Sequence, residues 1–277
     1  MITATHLEML HTPPLDFTLE RGLTHGLVGA NGVGKTTLLR MIAGQHPSSG
    51  LTVFGHAPFD LRYVMDRTIL MGIDNPLPDG WNMKKLFSLG RARWATWDQA
   101  RCDELVARFE LPLTNYSSLS RGQKSAAGII MAIASGCELV LLDEPYLGLD
   151  VQRRQVFFDV LREEHGRTVV LSTHHLDEVA GYLDTVLLLG RAPLSGAISD
   201  LTESIIELAG APALVDAAVD RLSLPVLTRT SASLGDKALV DARDANPEQA
   251  FAVAENLGLR ASEVSLETAV TALGGAR

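Results

Sequence analysis

Eight consecutive residues, Gly29-Ala30-Asn31-Gly32-Val33-Gly34-Lys35-Thr36, constrain this chain more than any other part of it. They fit the pattern G-x-x-x-x-G-K-[ST] at every fixed position. Four fixed positions at ordinary residue frequencies give a chance match on the order of one in a hundred for a chain of this length. The flanks fit as well. Leu23 to Val28 reads as a short buried strand, and Leu38, Leu39, Met41 and Ile42 then recur at helical spacing until Gly44. In such a strand–loop–helix unit, glycines let backbone N–H groups converge on a phosphate without Cβ interference. The helix start adds the positive end of its dipole. Lys35 supplies a point charge for β- and γ-phosphates, Thr36 offers a hydroxyl to Mg²⁺, and Thr37 extends the same cradle. The segment predicts a nucleoside triphosphate site.

Composition mainly excludes. The 277 residues, 46% hydrophobic and 21% charged, are those of a globular protein able to bury a large core. The longest apolar run, Ala126 to Ala134, is too short and too rich in glycine and alanine to span a bilayer. The start, Met1-Ile2-Thr3-Ala4, lacks the basic and apolar regions of a secretion signal. Cys102 and Cys137 lie far apart without metal-ligand spacing and read as reduced thiols of a cytosolic protein. A net charge of −9 with no basic stripe argues against nucleic acid as a partner.

Along the chain, Thr3–Met9 and Leu15–Leu19 read as short strands ahead of the phosphate loop. From Pro76, apolar residues (Trp81, Leu86, Phe87, Trp94, Trp97, Leu105, Val106, Phe109) recur at spacings that fit helices, which predicts an inserted helical subdomain. Leu139–Leu142 and Thr168–Leu171 are continuous apolar runs of the kind that form buried parallel strands, and Thr185–Leu189 is expected in the same sheet. After about Ser204 the composition shifts. Helices are predicted near 212–222 and 247–257, the second bounded by Asn246-Pro247 and Gly258. Strands are predicted near Pro225–Arg229 and Lys237–Asp241, giving a small α+β appendage. The expected division is 1–203 for an ATP-binding domain, with a helical subdomain at about 75–135, and 204–277 for the appendage.

Two further segments bear on chemistry. Asp143 and Glu144 directly follow the buried strand Leu139–Leu142, and ligands in parallel α/β sheets bind beyond the carboxyl ends of strands. In phosphate-loop NTPases an acid at this place holds Mg²⁺ together with the loop hydroxyl, which assigns Asp143 and Thr36 as metal ligands. Glu144 is then placed to orient and deprotonate an attacking water. Leu119-Ser120-Arg121-Gly122-Gln123 opens a helix of small residues. Ser120 is a sound N-cap, and Gly122 allows close approach of backbone to a ligand.

The order of phosphate loop, Leu119–Gln123, Leu139–Pro145, Gly148-Leu149-Asp150 and Ser172-Thr173-His174 resembles the ATP-binding subunit of ABC transporters over roughly residues 1–200. The resemblance implies a phosphate-loop fold of ABC type: a mostly parallel core sheet, an N-terminal antiparallel β part and an inserted helical subdomain. It implies ATP and Mg²⁺ as ligands and hydrolysis of ATP. It also implies a second ATPase subunit whose Ser120, Gly122 and Gln123 contact nucleotide across a dimer, with a homodimer expected. Asp150 would then face the partner, and His174 would be the switch histidine at the γ-phosphate. His175 takes no role. A separate transmembrane permease chain would dock on the helical subdomain, with the protein cytoplasmic and peripheral on the inner face of the plasma membrane. The segment Val264 to Gly274 resembles the tails of bacterial drug- and peptide-export ATPases, which points to export. The alternative is a soluble ABC-type ATPase acting on ribosomes, nucleic acid or cofactor assembly.

Two features depart from the family pattern. The stretch Met71–Pro76 carries no glutamine where members usually place one, leaving Asp74 or Asn75 as substitutes. No Tyr precedes the phosphate loop to stack on adenine; His11 or His6 are the candidates, with Phe17 directed into the core.

Overall fold

The structure, a computed structural model, describes residues 1–10, 12–72, 77–190, 193–232, 235–243 and 245–275. Strands β1 (Ile2–Leu7) and β2 (Leu15–Leu19) alternate buried and exposed side chains, as a one-sided sheet requires. The chain then enters β3 (Thr24–Val28) and helix α1 (Lys35–Ile42) before β4 (Leu51–Val53) returns to the first sheet. That sheet is antiparallel, in the order β2-β1-β4. β1 ends earlier than the expected Met9. His6 has φ 49°, and the register shifts between Ala4 and Leu7, so Glu8 and Met9 leave the strand towards the phosphate loop.

Helix α2 (Arg62–Met65) precedes β5 (Thr68–Gly72), and the helical region follows with α3 (Met83–Arg93), α4 (Gln99–Arg108) and α5 (Arg121–Ala134). Asn82 and Asp98 cap α3 and α4 through their side chains. The aromatic and aliphatic residues that suggested helices turn inward: Leu86, Phe87, Leu105 and Phe109 are buried. Strand β6 (Leu139–Asp143), helix α6 (Val151–Glu163), β7 (Thr168–Thr173), helix α7 (Leu176–Val179), β8 (Thr185–Leu188) and β9 (Leu194–Ala197) complete the main body.

The central sheet runs β5-β6-β7-β3-β8-β9. It is parallel except for β9, which pairs antiparallel with β8. Alternate residues of its inner strands serve two cores. Leu27, Leu141, Val170 and Leu187 meet α1 and the N-terminal sheet. Val28, Val140, Leu142, Val169, Leu171 and Val186 meet the helical layer that includes α5 and α6. Both faces are covered, which is why these strands read as unbroken apolar runs.

His25, 1% exposed on β3, has both ring nitrogens engaged: Nδ1 with the Thr185 hydroxyl (2.6 Å) and Nε2 with the Glu20 carbonyl (2.9 Å). The neutral ring carrying its proton on Nε2 satisfies both bonds, and burial lowers the imidazole pKa. The unfolded chain, with a histidine pKa of about 6.5, therefore binds this proton before the native state does. His25 costs no stability above that pH. It destabilises the fold progressively as pH falls below it towards the depressed native value. We expect thermal melting temperature to drop between pH 7 and pH 5, and His25→Gln to flatten that slope; an unchanged slope rejects the assignment.

After helix α8 (Ile198–Glu203) the appendage contains β10 (Ile205–Gly210), α9 (Pro212–Leu222), β11 (Val226–Ala232), β12 (Gly235–Asp241), α10 (Pro247–Asn256), β13 (Arg260–Glu263) and α11 (Leu266–Gly275). Its sheet is antiparallel throughout, in the order β11-β12-β10-β13. The appendage has its own core, in which Ile206, Leu208 and Val240 meet Val215, Ala218 and Val253 of α9 and α10. Helix α11 does not belong to that core. Leu266, Ala269, Val270 and Leu273 join the main-body cluster, and the Glu267 N–H donates to Asp177 Oδ1 at 3.1 Å, tying α11 to α7.

Candidate active site

Three neighbouring strands build the site. β6, β7 and β3 are adjacent and parallel, with Asp143 in register with Ser172 and Val28 with Thr173. Their carboxyl ends therefore deliver the acids, the Ser-Thr-His segment and the phosphate loop to one edge of the sheet, as expected of an open α/β sheet. A cavity of about 380 Å³ lies there, lined by Asn31, Gly32, Gly34, Lys35, Thr36, Thr37, Arg121, Asp143, Glu144, Leu147 and His174.

Gly34 caps α1 in the left-handed region, φ 111°, and an added Cβ would come within 2.8 Å of Met9 Cε. Only glycine serves there without strain. Lys35 is 7% exposed, and its Nζ donates to the carbonyls of Gly29 (2.7 Å) and Ala30 (3.4 Å). The ammonium thus lies along the loop and 3.8 Å from Glu144 Oε1. Asn31, Gly32 and Val33 form the outer turn, closed by the Val33 N–H to the Ala30 carbonyl at 3.2 Å.

Thr36 Oγ1 donates to Asp143 Oδ2 at 2.6 Å, and Ser172 Oγ donates to Asp143 Oδ1 at 2.5 Å. Ser172 Oγ also accepts the Glu144 N–H at 2.9 Å. Glu144 has φ 48°, which is uncommon for a residue with a side chain and costs conformational energy that the surrounding bonds must hold. His174 Nδ1 lies 2.9 Å from Glu144 Oε1, while Glu144 Oε2 is buried with no hydrogen-bond partner among the described residues. His175 is not idle. Its ring lies 4.0 Å from that of His174, and its N–H donates to Thr173 Oγ1 at 2.8 Å.

Ser120, Gly122 and Gln123 do not line this cavity. Ser120 and Gln123 form a reciprocal capping box at the start of α5, with the Gln123 N–H on Ser120 Oγ (3.2 Å) and the Ser120 N–H on Gln123 Oε1 (2.9 Å). At Gly122 an added Cβ would collide with the Gly148 carbonyl, so the close approach that demands glycine is to this chain's own backbone. Asp150 caps α6 through the Arg153 N–H at 2.8 Å. Arg121 was missed by the motif reading. It packs along Gly148 and reaches the phosphate-loop cavity. A signal existed: a cation in the first turn of a helix opposes the helix dipole and calls for another reason to be there.

A second cavity of about 500 Å³ adjoins the first, lined by Glu8, Met9, Leu10, Gly32, Gly34, Thr37 and Met41. His6, one of the two expected stacking histidines, does not line it. His6 is exposed and bonds Asp16 through its N–H (2.9 Å), and His11 lies outside the described residues, as do Asp74 and Asn75. Phe17 is buried as expected. Among the described residues the apolar contacts on offer are Met9, Leu10 and Met41.

Comparison with known proteins agrees with this geometry. A family model described as ABC transporter matches residues 13–147. The chain is similar to the ABC transporter ATP-binding protein YtrB of Bacillus subtilis, 30% identical over 176 residues, which cover 60% of this chain and 59% of that protein. It is 32% identical over 188 residues to the achromobactin transport ATP-binding protein CbrD of Dickeya dadantii (61% of this chain, 70% of that protein). It is 36% identical over 210 residues to the molybdenum import ATP-binding protein ModC of Brucella melitensis (67% and 56%). A solved structure titled as a putative cobalt transport ATP-binding protein superposes with a TM-score of 0.61 at 25% identity, covering 87% of this chain and 92% of that one. The chain belongs to the ABC transporter family of ATP-binding proteins and has its ABC-type phosphate-loop ATPase fold. Among the described residues no helix is long and apolar enough to cross a membrane.

Proposed function

We propose that this chain binds and hydrolyses Mg-ATP as one of two paired subunits that drive a separate membrane permease. The observation that carries the reading is the convergence of Lys35, Thr36, Asp143, Glu144 and His174 on one cavity at the ends of three parallel strands. Lys35 and the N–H groups of Gly29 to Thr37 hold the β- and γ-phosphates. The donors fit Mg²⁺: two hard oxygens, Thr36 Oγ1 and Asp143 Oδ2, already lie 2.6 Å apart. Magnesium takes few protein ligands and completes its shell with phosphate and water. When bound, it neutralises charge on the transferred phosphoryl group. Glu144 is the base for water, with Oε2 as the free acceptor and Oε1 held by His174. Ser120, Gly122 and Gln123 of each copy close over the nucleotide held by the other, which accords with their position outside this chain's own cavity.

The base contacts sharpen the substrate claim. An aromatic plate contributes roughly 1–3 kcal/mol of stacking, whereas Met9, Leu10 and Met41 offer only dispersion to either purine. We expect kcat/KM for ATP and GTP to agree within about tenfold, a difference of about 1.4 kcal/mol; a hundredfold preference would reject the base site.

The subunit is assigned to the cytoplasmic face of the plasma membrane, and the tail from Val264 supports export. Since relatives are named for import as well as for export, direction rests on that tail alone. The deciding experiment is purification from detergent-solubilised membranes, with assay of Mg-ATP turnover. A polytopic membrane protein recovered with an active ATPase supports the reading, and recovery with ribosomes or DNA overturns it.

A further inference from the structure

Tyr146 lies two residues beyond Glu144 and is 1% exposed, yet its ring needs no hydroxyl to pack. The ring sits 6.4 Å from Phe157 and 6.3 Å from Phe158, both on α6, where phenylalanine would fill the same space. A buried hydroxyl is unfavourable unless it is bonded. This one bonds Thr173 Oγ1, an oxygen that also accepts the His175 N–H. Burial pushes the phenol pKa up to about 12, so the bond keeps its proton at any working pH.

The bond has two parallel neighbours. The Glu144 N–H donates to Ser172 Oγ (2.9 Å), and Glu144 Oε1 meets His174 Nδ1 (2.9 Å). Three side-chain links thus join the segment Glu144–Tyr146 to Ser172–His174 across the end of the sheet. Two of them involve Glu144, and the third fixes the residue that immediately precedes His174. The switch histidine hangs between that anchor and Glu144. Without the Tyr146 link, Thr173 keeps its backbone pairing to Val28 and its local bond from the His175 N–H, but loses the side-chain hold to the Glu144–Tyr146 segment.

We propose that the Tyr146 hydroxyl is a positioning residue for hydrolysis: acting through Thr173, it sets His174 against Glu144 and so holds the base in its reactive placement. The inference rests on the assignment of Glu144 and His174 made above. Tyr146 is buried and does not line the phosphate-loop cavity, so its loss leaves binding intact and lowers turnover.

The test is steady-state hydrolysis of Mg-ATP by the full chain. For Tyr146→Phe we expect kcat to fall roughly ten- to hundredfold, the range that small misplacements of catalytic groups produce, with KM within twofold. Thr173→Val removes the same bond together with the acceptor of the His175 N–H, so it should lose at least as much, and adding Tyr146→Phe to it should cost nothing further. Thr173→Ser keeps the oxygen and should restore turnover to within about threefold of the parent. A Tyr146→Phe enzyme with kcat within twofold of the parent overturns the inference, as does one whose KM rises in step with the fall in kcat. Glu144→Gln run alongside separates the two claims: if it still turns over ATP, the assignment of the base fails; if it is dead while Tyr146→Phe is normal, only this inference fails.

Discussion

Glu144→Gln will bind Mg-ATP as tightly as the parent and lose hydrolysis by a factor of roughly 10²–10⁴, the usual effect of removing a general base. The expectation follows from the local geometry. Glutamine has the shape of glutamate, so it can occupy the same left-handed backbone position and keep its N–H on Ser172 Oγ. An amide cannot take a proton from water. The proposed phosphate contacts lie elsewhere, on Lys35 and the loop, so affinity is expected to stay. If two copies close over two nucleotides, the variant should accumulate in the closed state once Mg-ATP is added. Gel filtration or scattering reads this as an ATP-dependent dimer that persists for hours, where the parent shows a transient one. A variant that binds ATP yet stays single rejects the paired arrangement, and one that hydrolyses normally rejects Glu144 as the base.

Much of this site was legible because its residues are close in sequence to the elements that carry them. The phosphate loop needs only its own glycines, its strand and its helix, and Asp143 and Glu144 end a strand whose apolar run is unmistakable. The Ser120–Gln123 box is local too, and so were the ends of α9 and α10, set by Pro212 and by Asn246-Pro247. What escaped depends on contacts across long stretches of chain. β4 is three residues long, too short for a period to register, and exists because it pairs with β1 some fifty positions away. β10 is an inner strand of the appendage sheet, and its pairing partners β12 and β13 both follow it by tens of residues. The composition shift near Ser204 was visible. That α11 crosses back to fill the main core beside α7 was not, since Leu266, Ala269, Val270 and Leu273 look like any amphipathic helix. Gly122 shows the same limit within a motif. Its residue type was readable, while the Gly148 carbonyl that requires it was not. Tyr146 stands in no motif, and only the structure supplies Thr173 as the partner of its hydroxyl.

Lys35→Ala should do the opposite of Glu144→Gln: lose the nucleotide itself. A charge-assisted hydrogen bond contributes roughly 1.5–3 kcal/mol, so losing one or two to phosphate weakens affinity by about 10- to 10⁴-fold. A second effect comes from the structure without nucleotide. Lys35 is nearly buried, and its ammonium holds the Gly29 and Ala30 carbonyls. Removing it takes the ammonium from the Gly29 carbonyl and leaves the Ala30 carbonyl only the Val33 N–H, at a cost of about 1–3 kcal/mol for a buried group, less where water reaches it. The variant should therefore melt a few degrees lower even without ligand, and Mg-ATP should no longer raise its melting temperature as ligand linkage requires of the parent. Calorimetric titration and thermal melts with and without Mg-ATP separate the two contributions. Glu144→Gln serves as the reference, because its melting temperature must still rise with Mg-ATP. If Lys35→Ala binds within threefold of the parent, the triphosphate is held somewhere other than the Gly29–Thr36 loop, and the roles given to Thr36, Asp143 and Glu144 go with it.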